Sequence, residues 1–371
     1  MSAGADRGGI DQLDGVGAPP PGDPIRLADF EALALAKMTP ASGGYYSGAA
    51  NDEVTLRDNV AAFDRWRFVP RIGVEIVGRE TSVEVLGRRW PSPFMVAPMA
   101  LHKIADPEGE VAVARACAAR GLVFCLSTVG SATIEEVAAT GAACWFQLYY
   151  LEDQGKNREL LARAEAAGHE AIVLTMDAPL LGRRERDVRF GFSRPPGVEY
   201  ANVNRGGLKR GDTYGDDEFK LSNTWDDLAW VVANTKLPVI VKGVLHPDDA
   251  VRALDLGAAA VDVSNHGGRQ LDRSIAAIDA LPAVAEAVAG RAPILFDSGI
   301  RRGTDVLTAL ALGASGVMLG RPVLWSLAWG GEPGVGRALD MLAAEVNLAL
   351  GLAGLRSPAD ASRSLLVRVP G

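Results

Sequence analysis

Residues 293–322 read PILFDSGIRRGTDVLTALALGASGVMLGRP and hold one structural theme complete. A short apolar run, Ile294–Phe296, stops at Asp297-Ser298-Gly299. Thr304–Leu312 follows with helical spacing, and a second apolar run, Val317–Leu319, stops at Gly320-Arg321-Pro322. An apolar run of this length bounded by turn residues reads as a buried strand, so the stretch is a strand–helix–strand unit.

Outward from it, the theme repeats. The runs Phe94–Ala97, Val123–Leu126, Trp145–Leu148, Ala171–Leu174, Val239–Val241 and Ala260–Val263 bring the number of strands to eight. Helical stretches such as Glu108–Arg120, Ile134–Ala139, Arg158–Ala167 and Pro247–Leu256 separate them. Eight β–α units in roughly 260 residues fit an α/β fold of the (β/α)8 (TIM) barrel type. The rival, a doubly wound sheet, needs fewer strands and usually a glycine fingerprint after its first. Here the first strand runs into Ala97-Pro98-Met99-Ala100, with no GxGxxG. The longest gap, about 188–225, follows strand four and reads as a polar loop over the strand ends.

Before the barrel, a helical pattern starts at Leu27 (Phe30, Leu33, Leu35, Met38) and is expected to break at Gly43-Gly44-Tyr45-Tyr46. Residues 1–24, rich in Gly, Pro and Asp, read as a flexible tail. Residues 25–371 then form a single barrel domain with an N-terminal helical extension.

Composition sets the remaining bounds. The chain has 371 residues, 48% apolar, 23% charged and 6% aromatic, an ordinary balance for a soluble globular protein. Its net charge of −8 argues against broad binding to nucleic acid, which needs a basic face. Cys117, Cys125 and Cys144 lack paired spacing and read as buried thiols. No run approaches the ~18 apolar residues of a membrane span. The first residues lack the apolar core of a signal peptide, so a cytoplasmic protein is expected, away from membranes.

In a barrel, chemistry gathers where strands end. Those positions carry Gln147 and Tyr149, Thr175 and Asp177, Lys242, the block Ser264-Asn265-His266-Gly267-Gly268-Arg269-Gln270, Asp297-Ser298-Gly299 and Gly320-Arg321. Polar side chains directly after apolar strands are costly to bury without partners, so their convergence predicts a polar ligand. Gly299, Gly303 and Gly320 free backbone N–H groups, and Arg301 and Arg321 add bidentate donors; loops seven and eight therefore suit a phosphate. Of the four histidines, His169 and His246 read as surface residues. His266 sits among polar residues near Arg269. A base near neutral pH beside a fixed cation suits an anionic substrate that must lose a proton, with Asp177 fixing the tautomer. No metal site is expected, because no carboxylate–histidine cluster has ligand spacing.

The block 264–270, with Lys242-Gly243, Gly182-Arg183-Arg184-Glu185 and Asp297–Gly303, resembles the FMN-dependent 2-hydroxy-acid oxidases and dehydrogenases, which include glycolate oxidase, lactate oxidase, lactate monooxygenase and mandelate-oxidising enzymes. The resemblance runs from about Leu27 to Leu366. It implies FMN as cofactor and oxidation of an (S)-2-hydroxy acid to the 2-oxo acid, with O2 reoxidising the flavin and giving hydrogen peroxide. It implies His266 as base, Asp177 as its partner, and Tyr149 beside the substrate hydroxyl. Arg184, Arg269 and Tyr45 would hold the substrate carboxylate. Lys242 would sit beside flavin N1 and O2, with Ser127, Gln147 and Thr175 on the ring and Pro98, Met99 and Ala100 near N5. Asp297 and Ser298 would lie by the ribityl chain, and Gly299, Arg301, Gly320 and Arg321 at the phosphate. A homotetramer or octamer is the assembly it implies. Hydride and carbanion routes both stay open, as do a dehydrogenase using a quinone or other carrier and a decarboxylating monooxygenase outcome. A flavin-free barrel acting on a sugar phosphate would use the same phosphate loops.

Three places depart from the plant glycolate-oxidase pattern, one of them the order of small residues at Gly48-Ala49. Met99 stands where a Thr often contacts the flavin. Val129 stands where a Trp narrows the pocket, which predicts room for side chains larger than glycolate's hydrogen.

Overall fold

The computed structural model describes residues 22–203, 219–220 and 222–369. Three short helices come first: α1 (Asp29–Leu35), α2 (Pro40–Ser47) and α3 (Val54–Ala61). The strand β1 (Trp66–Phe68) and the hairpin β2 (Val83–Val85) and β3 (Arg88–Trp90) lead into the barrel. Its strands are β4 (Phe94–Val96), β5 (Val123–Ser127), β6 (Ala143–Leu148), β7 (Ala171–Thr175), β8 (Val239–Val244), β9 (Ala260–Val263), β10 (Ile294–Phe296) and β11 (Gly316–Leu319). They pair in parallel and close on themselves, so the expected (β/α)8 barrel is the observed fold.

Strand parity sorts the side chains between two cores. Met95, Cys125, Trp145, Val173, Ile240, Ala260, Leu295 and Met318 point into the barrel. Their neighbours in sequence, among them Phe124, Phe146, Leu174, Val241 and Phe296, point outward into the layer under the helices. The hairpin supplies Val85 and Trp90 to the inner core, with the Trp90 ring edge-on to Trp145 at 6.4 Å between centroids. It therefore plugs the end of the barrel where the strands start. The opposite end, where the inward residues turn polar, is left for the site.

The connecting helices are α4 (Gly109–Ala118), α5 (Ile134–Ala138), α6 (Gln154–Ala166), α7 (Glu185–Arg189), α8 (Trp225–Ala233), α9 (Pro247–Asp255), α10 (Ala277–Val288) and α11 (Gly303–Ala311). The last helix, α12 (Arg321–Ala353), is interrupted at Gly330 and Gly331. Its Trp325 and Leu327 are buried, and Trp329 packs edge-on against Phe30. β12 (Leu366–Arg368) returns antiparallel to β1.

Two local expectations change. The stretch Gly43–Tyr46 does not break helical structure but lies within α2. Thr39 caps that helix through the Ser42 N–H, and Pro40 starts it. The glycines serve close packing: a Cβ on Gly43 would meet Leu35 at 2.7 Å, and one on Gly44 would meet Phe190 at 2.8 Å. His169 is buried rather than at the surface, because the end of α6 folds its ring edge-on to Phe146. His246 is exposed and caps α9.

Most of the expected tail lies outside the described residues, and at its end Asp23 binds Arg337 at 2.6 Å. Part of the loop after β7 lies outside them as well, including Arg205, Lys209 and Arg210. Among the described residues no helix is long and apolar enough to cross a membrane.

Candidate active site

The parity that fills the barrel with apolar side chains sets Ser127, Gln147, Thr175, Lys242, Asp262 and Asp297 facing inward at the strand ends. Three of these join into a chain across neighbouring strands. Ser127 Oγ donates to Gln147 Oε1 at 2.8 Å, and Gln147 Nε2 donates to Thr175 Oγ1 at 3.0 Å. All three are buried. Lys242 Nζ pairs with Asp297 Oδ2 at 2.7 Å and also donates to Ser264 Oγ. Burial alone would lower the lysine's proton affinity. The carboxylates beside it, Asp297 first, outweigh it and hold the ammonium well above its usual range.

His266 follows β9 on a sharp turn. Its φ of +59° continues through Gly267 at +64° and Gly268 at +75°. Left-handed backbone costs a non-glycine residue roughly 1–2 kcal/mol and persists where surroundings enforce it. Here the His266 N–H is held by Ser264 Oγ at 3.0 Å. Asn265 and Asn59 exchange two amide hydrogen bonds of 2.7 and 2.8 Å behind the turn. The turn aims Nδ1 at Asp177 Oδ1, 3.0 Å away, and Nε2 at the Tyr149 hydroxyl, 3.3 Å away. Burial raises the Asp177 carboxyl, but the His266 charge and hydrogen bond, then Lys242, leave it below its usual value. Burial and then Asp177 push the Tyr149 phenol up to about 12. An ionised Asp177 accepts the Nδ1 proton, so the lone pair of the neutral ring lies on Nε2.

Four guanidinium groups crowd the same end of the barrel. Arg269 donates from Nη1 to the Tyr45 and Gly48 carbonyls at 2.8 and 2.9 Å, leaving Nε and Nη2 without a protein acceptor among the described residues. Arg184 keeps a buried Nε without a partner. Arg321 reaches the carbonyls of Tyr46, Gly48 and Gly267, and Arg301 reaches that of Ile300 while lying over the Trp325 ring. None of the four pairs with a carboxylate among the described residues. Burial, then Arg184, pushes Arg269 down to about 10. Burial, then Arg269 and Arg301, holds Arg321 well below its usual value. Half-buried cations held close together without carboxylate partners repel one another and gain from a negative ligand, so this end of the barrel is built for anions.

One cavity of about 370 Å3 gathers these groups. Tyr45, Pro98, Met99, Ala100, Ser127, Gln147, Tyr149, Thr175, Arg184, Lys242, His266, Arg269, Asp297, Ser298, Gly299, Arg301, Gly320 and Arg321 all line it. Asp177 stands behind His266. Val129 also lines the cavity. The donor chain over three strands, the buried lysine and the unpaired arginines fit a planar polar ring with a phosphate tail, as FMN has. Among the described residues no three His, Cys, Asp or Glu side chains cluster as metal ligands.

Sequence reading missed several participants. Phe192, from the loop after β7, stacks on Tyr45 with centroids 4.2 Å apart and planes 6° apart. Asp187 lines the cavity near the arginines, and burial raises its carboxyl. Asp262 lies beneath Lys242. Its signal was present, since a lone carboxylate inside the apolar run Ala260–Val263 is a costly residue to bury.

Comparison with known proteins agrees with this geometry. The family model for FMN-dependent dehydrogenase matches residues 34–368. An L-lactate oxidase from Nostoc sp. is 44% identical over 92% of this chain and 98% of its own length. A 4-hydroxymandelate oxidase from Amycolatopsis orientalis is 43% identical over 91% of this chain and 97% of its own. A glycolate oxidase from Spinacia oleracea is 43% identical over 91% and 94%. A solved structure of mandelate oxidase with (S)-4-hydroxymandelic acid superposes with a TM-score of 0.90 at 42% identity, covering 94% of this chain and 99% of that one.

Proposed function

The chain belongs to the FMN-dependent dehydrogenase family as an oxidoreductase that uses FMN to oxidise a 2-hydroxy acid, and we propose that its substrate is an (S)-2-hydroxy acid bulkier than glycolate and that O2 takes the electrons. The observation that carries the site assignment is the His266–Asp177 pair at 3.0 Å beside two half-buried arginines that pair with no carboxylate among the described residues.

Arg184 and Arg269 bind the substrate carboxylate, with Tyr45 completing the clamp. Fixing the acid between two cations turns an encounter into a positioned step. His266 Nε2 takes the hydroxyl proton, and Asp177 holds the resulting imidazolium. Tyr149, kept protonated by burial, donates to the substrate oxygen. Ser127, Gln147, Thr175 and Lys242 would hold the FMN ring, with the backbone of Pro98, Met99 and Ala100 near it. Asp297 would hold the ribityl chain, Ser298 would join the cofactor contacts, and Gly299, Arg301, Gly320 and Arg321 would hold the phosphate. Bound FMN supplies a two-electron acceptor, and the net reaction converts 2-hydroxy acid and O2 to 2-oxo acid and hydrogen peroxide. Val129 leaves room for the larger substituent. We assign residues 25–371 to one FMN-binding domain, the protein to the cytoplasm, and the assembly to a homotetramer or octamer.

Anaerobic absorption spectra test this reading. The purified protein should be yellow, and (S)-mandelate or (S)-lactate should bleach it more readily than glycolate. Admitting air should restore the colour with peroxide release. Bleaching that persists in air would assign the electrons to another carrier. A protein with no affinity for FMN would overturn the reading.

A further inference from the structure

Beneath the cavity, Asp262 has no role in the reading above. It is the cross-strand register partner of Lys242, one strand away in β9, and both point into the barrel. It is fully buried, and neither carboxylate oxygen has a hydrogen-bond partner among the described residues. Its Oδ2 lies 3.7 Å from Lys242 Nζ, whereas Asp297 holds the same ammonium at 2.7 Å.

One lysine thus faces two carboxylates in a dry interior. Asp297 has the hydrogen-bonded position. A second buried carboxylate with no hydrogen bond costs several kcal/mol when ionised, and the group protonates instead. The other groups around Asp262 do not reverse this. Asp177 and Asp297 add negative charge, and Cys125 on β5 brings none, because burial raises its thiol. Burial, then Asp297, holds the Asp262 carboxyl well above its usual range, against Lys242.

We infer that Asp262 is a positioning residue that acts through Lys242, staying a neutral acid so that the lysine's charge answers Asp297 alone and the cluster resists negative charge on the ring above it only when Asp262 loses its proton. With Asp262 protonated, Lys242 and Asp297 sum to zero. With it ionised, the cluster is −1, and reduction of the flavin, which adds negative charge beside Lys242, becomes harder unless a proton returns to Asp262. This inference rests on FMN lying over Lys242.

Two measurements test it. Infrared difference spectra of the apoprotein, wild type minus Asp262→Asn, should contain the carbonyl band of a protonated carboxylic acid. In Asp297→Asn the lysine passes to Asp262, which ionises, and the band should vanish. An absent wild-type band, or a band that survives in Asp297→Asn, overturns the inference without reference to flavin. The second measurement is the flavin midpoint potential against pH. Wild type and Asp262→Asn should agree at low pH. On the alkaline side the wild type should fall more steeply by one proton per two electrons, a tenfold change in equilibrium constant or about 30 mV per pH unit. Profiles that stay parallel at a pH where the Asp262 carbonyl band has been lost overturn the inference. A wild type that binds no FMN overturns the functional reading instead, and the infrared result still decides the state of Asp262.

Discussion

Gly243 lies directly against Asp177. A Cβ on this glycine would sit 2.4 Å from the Asp177 Cβ, and its φ is +104°. The missing side chain, at the point where the β8–β9 register shifts, is what lets Asp177 reach His266. Gly243→Ala should therefore displace the carboxylate without touching substrate or flavin contacts. A misplacement near 1 Å costs about 100-fold in rate. The expected outcome is a fall of that order in kcat/KM with FMN affinity retained. Unchanged kinetics would show that Asp177 does not position the histidine.

Asp177→Asn tests the pair itself. It removes the charge that stabilises the His266 imidazolium and frees the ring to take the wrong tautomer, so kcat should fall about 100- to 10,000-fold, the range of general acid–base catalysis. Stability should change with a defined sign. The folded carboxyl is held below its usual value, so it contributes stability above the unfolded value of about 3.9, and that contribution is lost as pH falls through the lower folded value. Melting curves of wild type and variant should differ at neutral pH and converge in acid.

Short apolar runs that stop at turn residues, each followed by a helical stretch, made the barrel legible, and with it the polar layer at the strand ends. Thr175, Lys242 and Asp297 sit one step beyond their apolar runs and Gln147 one step before the end of its own, so the runs located both the strands and their chemistry. The parts that stayed hidden depend on contacts far apart in the chain. Asn59 and Asn265 are 206 positions apart, and neither shows its partner in sequence. Phe192 belongs to a loop whose composition is polar, and only the fold brings it onto Tyr45. Gly43 and Gly44 look like helix breakers until Leu35 and Phe190 occupy the space that side chains would need. Asp262 was legible as a lone carboxylate and was passed over inside its apolar run.

Arg301 offers a clean test of the anion site. Among the described residues its guanidinium donates one hydrogen bond, to its neighbour's carbonyl, so replacing the side chain disturbs little else. Hydrogen bonds to charged groups contribute about 1.5–3 kcal/mol, or roughly 10- to 150-fold in affinity. Arg301→Leu should weaken FMN binding to the apoprotein by that factor in a fluorescence titration. The same change removes a half-buried charge that has no carboxylate partner among the described residues, so the apoprotein should melt no lower than wild type. A large loss of apoprotein stability with FMN affinity intact would make Arg301 structural.

Val129 tests substrate size. It lines the cavity and is 8% exposed, so a larger side chain there must enter the space a substrate would use. An indole at this position overfills the pocket for a bulky substituent by about 1–3 kcal/mol, or 5- to 150-fold. Glycolate has only hydrogen at the same place and avoids the clash. Val129→Trp should therefore lower kcat/KM for (S)-mandelate by that factor while leaving glycolate turnover within a few-fold. The two effects are separated because both substrates share the carboxylate, the hydroxyl and His266. Equal loss on both would move Val129 from selectivity to general packing. Equal retention would mean that the substituent leaves the cavity by another wall, toward Leu180 and Leu181, which line the same cavity and are half-exposed.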